Sequence, residues 1–257
     1  MAWQHSLDPV ALSLGPLTIY WYGLVYAAGF LFLYWYLANY SDLDGSAVDD
    51  YIVWSVLGML LGSRLFTFLF WYPSQLLNNP LSFFAIWQGG MSFHGGFAGM
   101  VAATYFFTRQ RDISFYSVAD RVSVPAGVFL GLGRLANLVN AELVGTPFQG
   151  SWCVDYTPQQ MRRQGLPDVC RHPYQVYAAL KNAVITPFLL ALKTINTMPQ
   201  GTIFWAFTAA YNVGRVAVDV FRQEPSVLIG LSTGQTLSIV FAAVSSYMLV
   251  HVLSSDG

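Results

Sequence analysis

The stretch LTIYWYGLVYAAGFLFLYWYLA, Leu17–Ala38, decides the fold, because no charge occurs anywhere between Asp8 and Asp42. A membrane-spanning helix needs roughly 20 mostly apolar residues to cross the hydrocarbon layer, and this segment supplies them. The rest of the chain has the same character. Of its 257 residues, 55% are hydrophobic and 16% aromatic, and only 10% are charged. A soluble domain carries about 25% charged residues. The mean hydropathy is +0.47. A net charge of −1 argues neither for nucleic acid nor for an acidic partner. The N-terminus, MAWQHSLD, holds no Lys or Arg. It lacks the basic region of a cleaved signal peptide, so the first span is expected to remain in the mature protein.

Working outward, hydropathy predicts further spans near Tyr51–Tyr72, Gly89–Phe107, Val118–Gly133 (kinked by Pro125), Tyr174–Leu192, Thr202–Val220 and Leu228–Val252. The expected fold is all-α: one polytopic membrane domain over residues 1–257 with about seven transmembrane helices. Between spans four and five, residues 140–173 turn polar and proline-rich, which predicts an outer loop or small extramembrane head. No internal repeat of the inverted-transporter kind is visible. Arg109, Arg111 and Arg121 follow span three, and the first two loops have no Lys or Arg. The positive-inside rule then puts that loop in the cytoplasm, the N-terminus outside and the C-terminus inside. Lys193 agrees, whereas Arg162, Arg163 and Arg171 in the fourth loop weigh the other way. Cys153 and Cys170 both lie in that loop. A disulfide in an oxidising compartment and two unpaired thiols are both compatible with the sequence, and no Cys/His spacing suggests a metal site.

Ionisable groups inside the membrane are costly and face a protein interior or a water-filled cavity. Here they are Arg64, His94, Arg134, Glu142, Lys181, Arg215, Asp219 and Arg222. Several have structural explanations. Lys181 can snorkel, Arg222 can anchor at the interface, and Asp219 can pair with Arg215 one helical turn away. Taken together, the arginines of spans two, four and six lie toward one end. Arginine binds phosphate through a planar fork, and a lipid headgroup is the phosphate most available in a bilayer. In GLGRLANLVNAELVG (Gly131–Gly145), Arg134 and Asn137 share a helical face and Asn140 drifts round it. These residues suit an anion, and they equally suit an interhelical polar clasp. In GGMSFHGGFAG (Gly89–Gly99), His94 could move a proton, or the glycines could form a packing face beside a hydrogen-bonded histidine.

These residues resemble a known family, the bacterial prolipoprotein diacylglyceryl transferases. GRLANLVNAE (Gly133–Glu142) resembles its signature and MSFHGGFAG (Met91–Gly99) its histidine–glycine–glycine segment. WYGLVY (Trp21–Tyr26), RHPYQVY (Arg171–Tyr177), GRVAVDVFRQEP (Gly214–Pro225) and STGQTLS (Ser232–Ser238) resemble four further motifs, in order, from about Asp8 to Val250. The sequence departs from the family pattern at Leu138 (usually Phe), Tyr174 (often Ser), Ala178 (often Glu) and Asp219 (often Glu).

The resemblance implies an enzyme of the plasma membrane, active toward its outer face. It would transfer the diacylglyceryl group of phosphatidylglycerol to the lipobox cysteine of a prolipoprotein signal peptide, forming a thioether and releasing glycerol 1-phosphate. It implies no cofactor and no metal. In this sequence Arg134 and Arg215 would hold the phosphate, with Asn137 as a further donor and Glu142 orienting Arg134. His94 would accept the thiol proton, with His172 or a lipid phosphate oxygen as competing acceptors. Tyr22 and Arg64 would contact headgroup or substrate, and Gly145 would allow a close backbone approach. Asn140, Gln175, Asp219 and Arg222 complete the expected substrate-binding set. A lipid transporter or flippase is the alternative; it would usually show paired halves with interrupted helices. An intramembrane serine protease fits poorly, because Ser92 is too close to His94 along the chain.

Overall fold

The structure is a computed structural model and describes residues 2–15, 17–86, 89–195, 197–228 and 230–254. It is dominated by seven long helices. They are α1 (Trp21–Tyr40), α2 (Gly45–Phe70), α4 (Phe93–Gln110), α5 (Phe115–Val139), α7 (Tyr174–Lys193), α8 (Thr202–Val218) and α9 (Thr233–Ser254). Short helices α3 (Pro73–Asn78) and α6 (Pro158–Arg163) lie in the connections. Five helices, α1, α2, α5, α7 and α9, are long and apolar enough to cross a membrane. α4 has 18 residues and α8 has 17, about 26 Å each at 1.5 Å per residue. Large apolar side chains stand exposed along these helices, among them Leu31, Leu57, Leu61, Tyr247 and Val250. Such a surface suits lipid and is unusual against water. The protein is an all-α polytopic membrane protein.

Several boundaries differ from the hydropathy reading. The second span starts at Gly45, six residues before the predicted Tyr51, and the third runs over Phe93–Gln110 in place of Gly89–Phe107. Leu17–Tyr20 is not helix. It is strand β3, paired antiparallel with β2 (Val10–Leu14) in a hairpin before α1. The run is apolar enough for a span, but its Leu-Thr-Ile-Tyr content is equally strand-forming. The fourth span is longer than predicted and runs unbroken through Pro125 from Phe115 to Val139. The last helix starts at Thr233, after a small hairpin of β5 (Ser226–Leu228) and β6 (Leu231–Ser232). The predicted start of that span includes Ile229, which lies outside the described residues. Ser232 and Gln235 start α9 as a reciprocal cap, Gln235 N–H donating to Ser232 Oγ (3.1 Å) and Ser232 N–H to Gln235 Oε1 (3.0 Å).

The chain forms two compact units, Phe30–Val122 and Met1–Gly29 with Ser123–Gly257. In the first, α2 and α4 cross at glycines. A Cβ on Gly62 would sit 2.8 Å from Gly99 Cα, and one on Gly99 would sit 3.0 Å from Gly62 Cα. Small residues at this spacing let two backbones touch in lipid. The glycines of the His94 segment therefore do form a helix-packing face. Leu33, Leu37, Val48, Tyr51, Phe107 and Val118 make this unit's core. At one end Arg121 pairs with Asp42 and Arg111 with Asp50, so the first and third loops lie together.

In the second unit, the polar segment after α5 folds into a small head. Ala141, Val144, Val154, Tyr156 and Met161 form its core. A Cys153–Cys170 disulfide closes it. Strand β1 (Trp3–Gln4) pairs parallel with β4 (Val154–Asp155). His5 is buried behind that pair, its Nε2 2.7 Å from the Leu138 carbonyl and its Nδ1 3.1 Å from Gln160 Nε2. The N-terminal tail is thus part of the head.

Candidate active site

The end of α5 shapes the signature segment. Ala141 takes a left-handed conformation (φ 54°). The Glu142 N–H bonds to the Asn137 carbonyl (2.8 Å) and the Ala141 N–H to the Leu138 carbonyl (3.0 Å). This is a Schellman closure with alanine where glycine is usual, at a cost of about 1 kcal/mol. It turns Glu142 back on the helix, so that its carboxylate accepts from Asn137 Nδ2 (3.0 Å) and Asn140 Nδ2 (3.4 Å). The carboxylate that the sequence reading aims at Arg134 is held by the two carboxamides.

Arg134, half-buried, lies in the electrostatic field of Tyr211, Tyr174 and Asp219. Arg215 comes from α8 and is buried. Its Nε donates to Asp219 Oδ2 (3.1 Å), and Tyr174 donates its hydroxyl to Asp219 Oδ1 (2.6 Å). Tyr211 and Arg134 also act on Arg215. The two arginines predicted for the phosphate therefore share the electrostatic surroundings of Tyr211 and Asp219. Gly234 of the last-span motif makes room for this group, since a Cβ there would lie 2.5 Å from Arg215 Nη2. Arg222 pairs with Glu224 (3.2 Å) and lies over the Tyr174 ring, 5.8 Å from its centroid. Tyr26 feels both Arg134 and Glu142, and Tyr22 is beside it, hydroxyl to hydroxyl at 3.3 Å.

The remaining predicted residues have clear positions. Gln175, fully buried, donates to the Glu142 carbonyl (2.6 Å) and ties the start of α7 to the signature segment. Gly145 lies against the His172 backbone, and a Cβ on it would be 2.8 Å from His172 Cβ. His172 stacks on Phe148 at 3.9 Å, with its Nδ1 3.2 Å from the Tyr177 hydroxyl. Burial lowers its pKa from the ordinary 6.5, and burial also pushes the head's Tyr156 up to about 12. Arg64 and His94 stand in the other unit. Arg64 donates to the carbonyls of Phe83 (2.8 Å), Gly90 (3.4 Å), Ser82 and Gly89. His94 lies in the first turn of α4 near the rings of Phe93 and Phe66. Sequence reasoning missed Tyr26, Tyr174, Tyr211 and the fully buried Arg171, which donates to the carbonyls of Gly145 (3.1 Å) and Pro167 (2.9 Å). Helical spacing carried a signal for two of them. Tyr26 is four residues from Tyr22, and Tyr211, Arg215 and Asp219 recur every four residues along α8 and its C-terminal cap.

The chain is thus a helical membrane protein with Arg215 paired to Asp219 and Arg134 in the field of the same carboxylate. The family described as prolipoprotein diacylglyceryl transferase matches residues 9–251. Three similar proteins are each named phosphatidylglycerol–prolipoprotein diacylglyceryl transferase. That of Rhodospirillum centenum is 39% identical, over 96% of this chain and 92% of its own length. Those of Bartonella bacilliformis and Brucella anthropi are each 34% identical. They cover 85% and 95% of this chain, and 79% and 91% of their own lengths. The chain belongs to the prolipoprotein diacylglyceryl transferase family.

Proposed function

We propose that this protein transfers the diacylglyceryl group of phosphatidylglycerol to the lipobox cysteine of a prolipoprotein, releasing glycerol 1-phosphate. The buried Arg215–Asp219–Tyr174 cluster, with Arg134 in its electrostatic field, carries this reading. Sulfur's electron pair forms the new C–S bond. The C–O bond breaks with its pair on the phosphate oxygen, whose growing charge the two guanidinium groups stabilise. Thiolate is the nucleophile, and His94 is assigned to take the thiol proton. Glu142 orients Asn137 and Asn140 toward the phosphate, and Arg64 holds the loop that carries Ser82 and Gly89. The similar proteins named above are transferases, and no observation favours a transporter.

The strand pairings support seven crossings, with the head outside the plasma membrane. β1 and β4 pair, which fits an even number of crossings between them, α4 crossing along with α1, α2 and α5. Thr146 N–H bonds to the Phe221 carbonyl and Gln223 N–H to the Val144 carbonyl. The chain therefore returns to the head after α7 and α8. The disulfide fits an oxidising compartment, and Arg111 and Arg121 then face the cytoplasm.

Purified protein, phosphatidylglycerol and a lipobox peptide should yield a peptide heavier by one diacylglyceryl group, joined as a thioether. Arg134→Lys should lose about a hundredfold in rate, because a point charge does not replace the fork. No thioether from wild-type protein would overturn the proposal, and wild-type rates in Arg134→Lys would remove the phosphate role.

A further inference from the structure

Lys181 is on the same face of α7 as Tyr174, two turns further along the helix. Its ammonium lies 3.5 Å from the centroid of the Tyr211 ring, the tyrosine in whose electrostatic field Arg134 lies. It shares the electrostatic surroundings of Arg134, Arg215 and Asp219. Gly214 opens the way for its stem, since a Cβ there would sit 2.8 Å from Lys181 Cγ and Cδ. Asp219 is already engaged on both oxygens, by Tyr174 and by Arg215. Among the described residues no carboxylate lies within ion-pair distance of Lys181. Three cations thus share the electrostatic surroundings of Asp219, and an anion joining them would lower the cost of holding that charge within the spans.

The charge of that anion changes during the reaction. A lipid phosphodiester carries one negative charge, whereas a departing phosphate monoester carries about −1.5 to −2 at neutral pH. A third cation beside Arg134 and Arg215 is suited to the charge that grows on the phosphate as the monoester forms. We propose that Lys181 is a further catalytic residue, binding the phosphate of the departing glycerol 1-phosphate and stabilising the second charge as the C–O bond breaks. The inference rests on the transfer reading above.

Wild type, Lys181→Met and Lys181→Arg in lipid nanodiscs test it, through thioether formation and calorimetric binding of glycerol 1-phosphate. Lys181→Met keeps the length of the stem and removes the charge. It should lower kcat at least about tenfold, with KM for phosphatidylglycerol nearly unchanged, and weaken glycerol 1-phosphate binding by about the same factor. Lys181→Arg should recover most of both. Wild-type kcat and product affinity in Lys181→Met would overturn the proposal, as would a raised KM with unchanged kcat. Wild-type protein that binds glycerol 1-phosphate through Lys181 but forms no thioether would sink the transfer reading and keep the lysine as a phosphate ligand.

Discussion

At the scale of single residues, Tyr174 and Asp219 are the two positions where the resemblance leads one to expect serine and glutamate. In the structure the two touch, with the long phenol reaching the short acid at 2.6 Å. The same carboxylate accepts from Arg215, so the tyrosine and the arginine share one acceptor. Tyr174→Phe removes the donor from a charged acceptor, an interaction of about 1.5–3 kcal/mol, and should slow transfer at least tenfold as Arg215 loses its support. Asp219→Glu alone should also be slow, because the longer acid meets the tyrosine. The double variant Tyr174→Ser with Asp219→Glu should recover most of the rate, measured as kcat for thioether formation. A double variant no better than the worse single one would separate the two positions. The arginines were legible in the sequence because charge in an apolar span is conspicuous. The tyrosines were not, because in a chain with 15 of them a phenol facing a site looks like one facing lipid.

At the scale of elements, the helices were legible and their ends were not. Hydropathy reports that a segment is apolar. It does not distinguish the β3 strand Leu17–Tyr20 from the first turn of a span, because the pairing that decides it comes from Val10–Leu14. The head was legible only as a polar interval. Its docked N-terminal strand depends on contacts more than a hundred residues apart, such as Trp3 with Val154. Within the head, His172 makes a pH prediction. Its folded pKa lies below the ordinary 6.5 because burial disfavours the imidazolium. As pH falls through that ordinary value the unfolded chain takes the proton first, so stability is full above it and declines below it. His172→Phe keeps the stacking on Phe148 and removes the titration. Thermal unfolding between about pH 7.5 and pH 5.5, a window that brackets the free histidine pKa, should show a steeper loss in wild type than in this variant. Equal slopes would mean that His172 ionises as readily folded as unfolded.

At the scale of the whole molecule, several devices of the unit that holds the head meet near Arg134 and Arg215. The Schellman turn after α5 sets Glu142 on Asn137 and Asn140. Gln175 and Arg171 bind the head to the signature segment, and Gly234 leaves the space that Arg215 fills. The chain would not bury such a surplus of positive charge for stability alone. The central claim is that Arg134 and Arg215 together hold the phosphate of phosphatidylglycerol. Solid-state NMR of protein labelled with ¹⁵N at arginine, in nanodiscs of phosphatidylglycerol, measures this through ³¹P–¹⁵N dipolar couplings. Wild type should show a bound phosphorus coupled to guanidinium nitrogens at hydrogen-bond range, with one set of couplings lost in Arg134→Lys and another in Arg215→Lys. Couplings that persist unchanged in both variants, or none in wild type with lipid bound, would contradict the account.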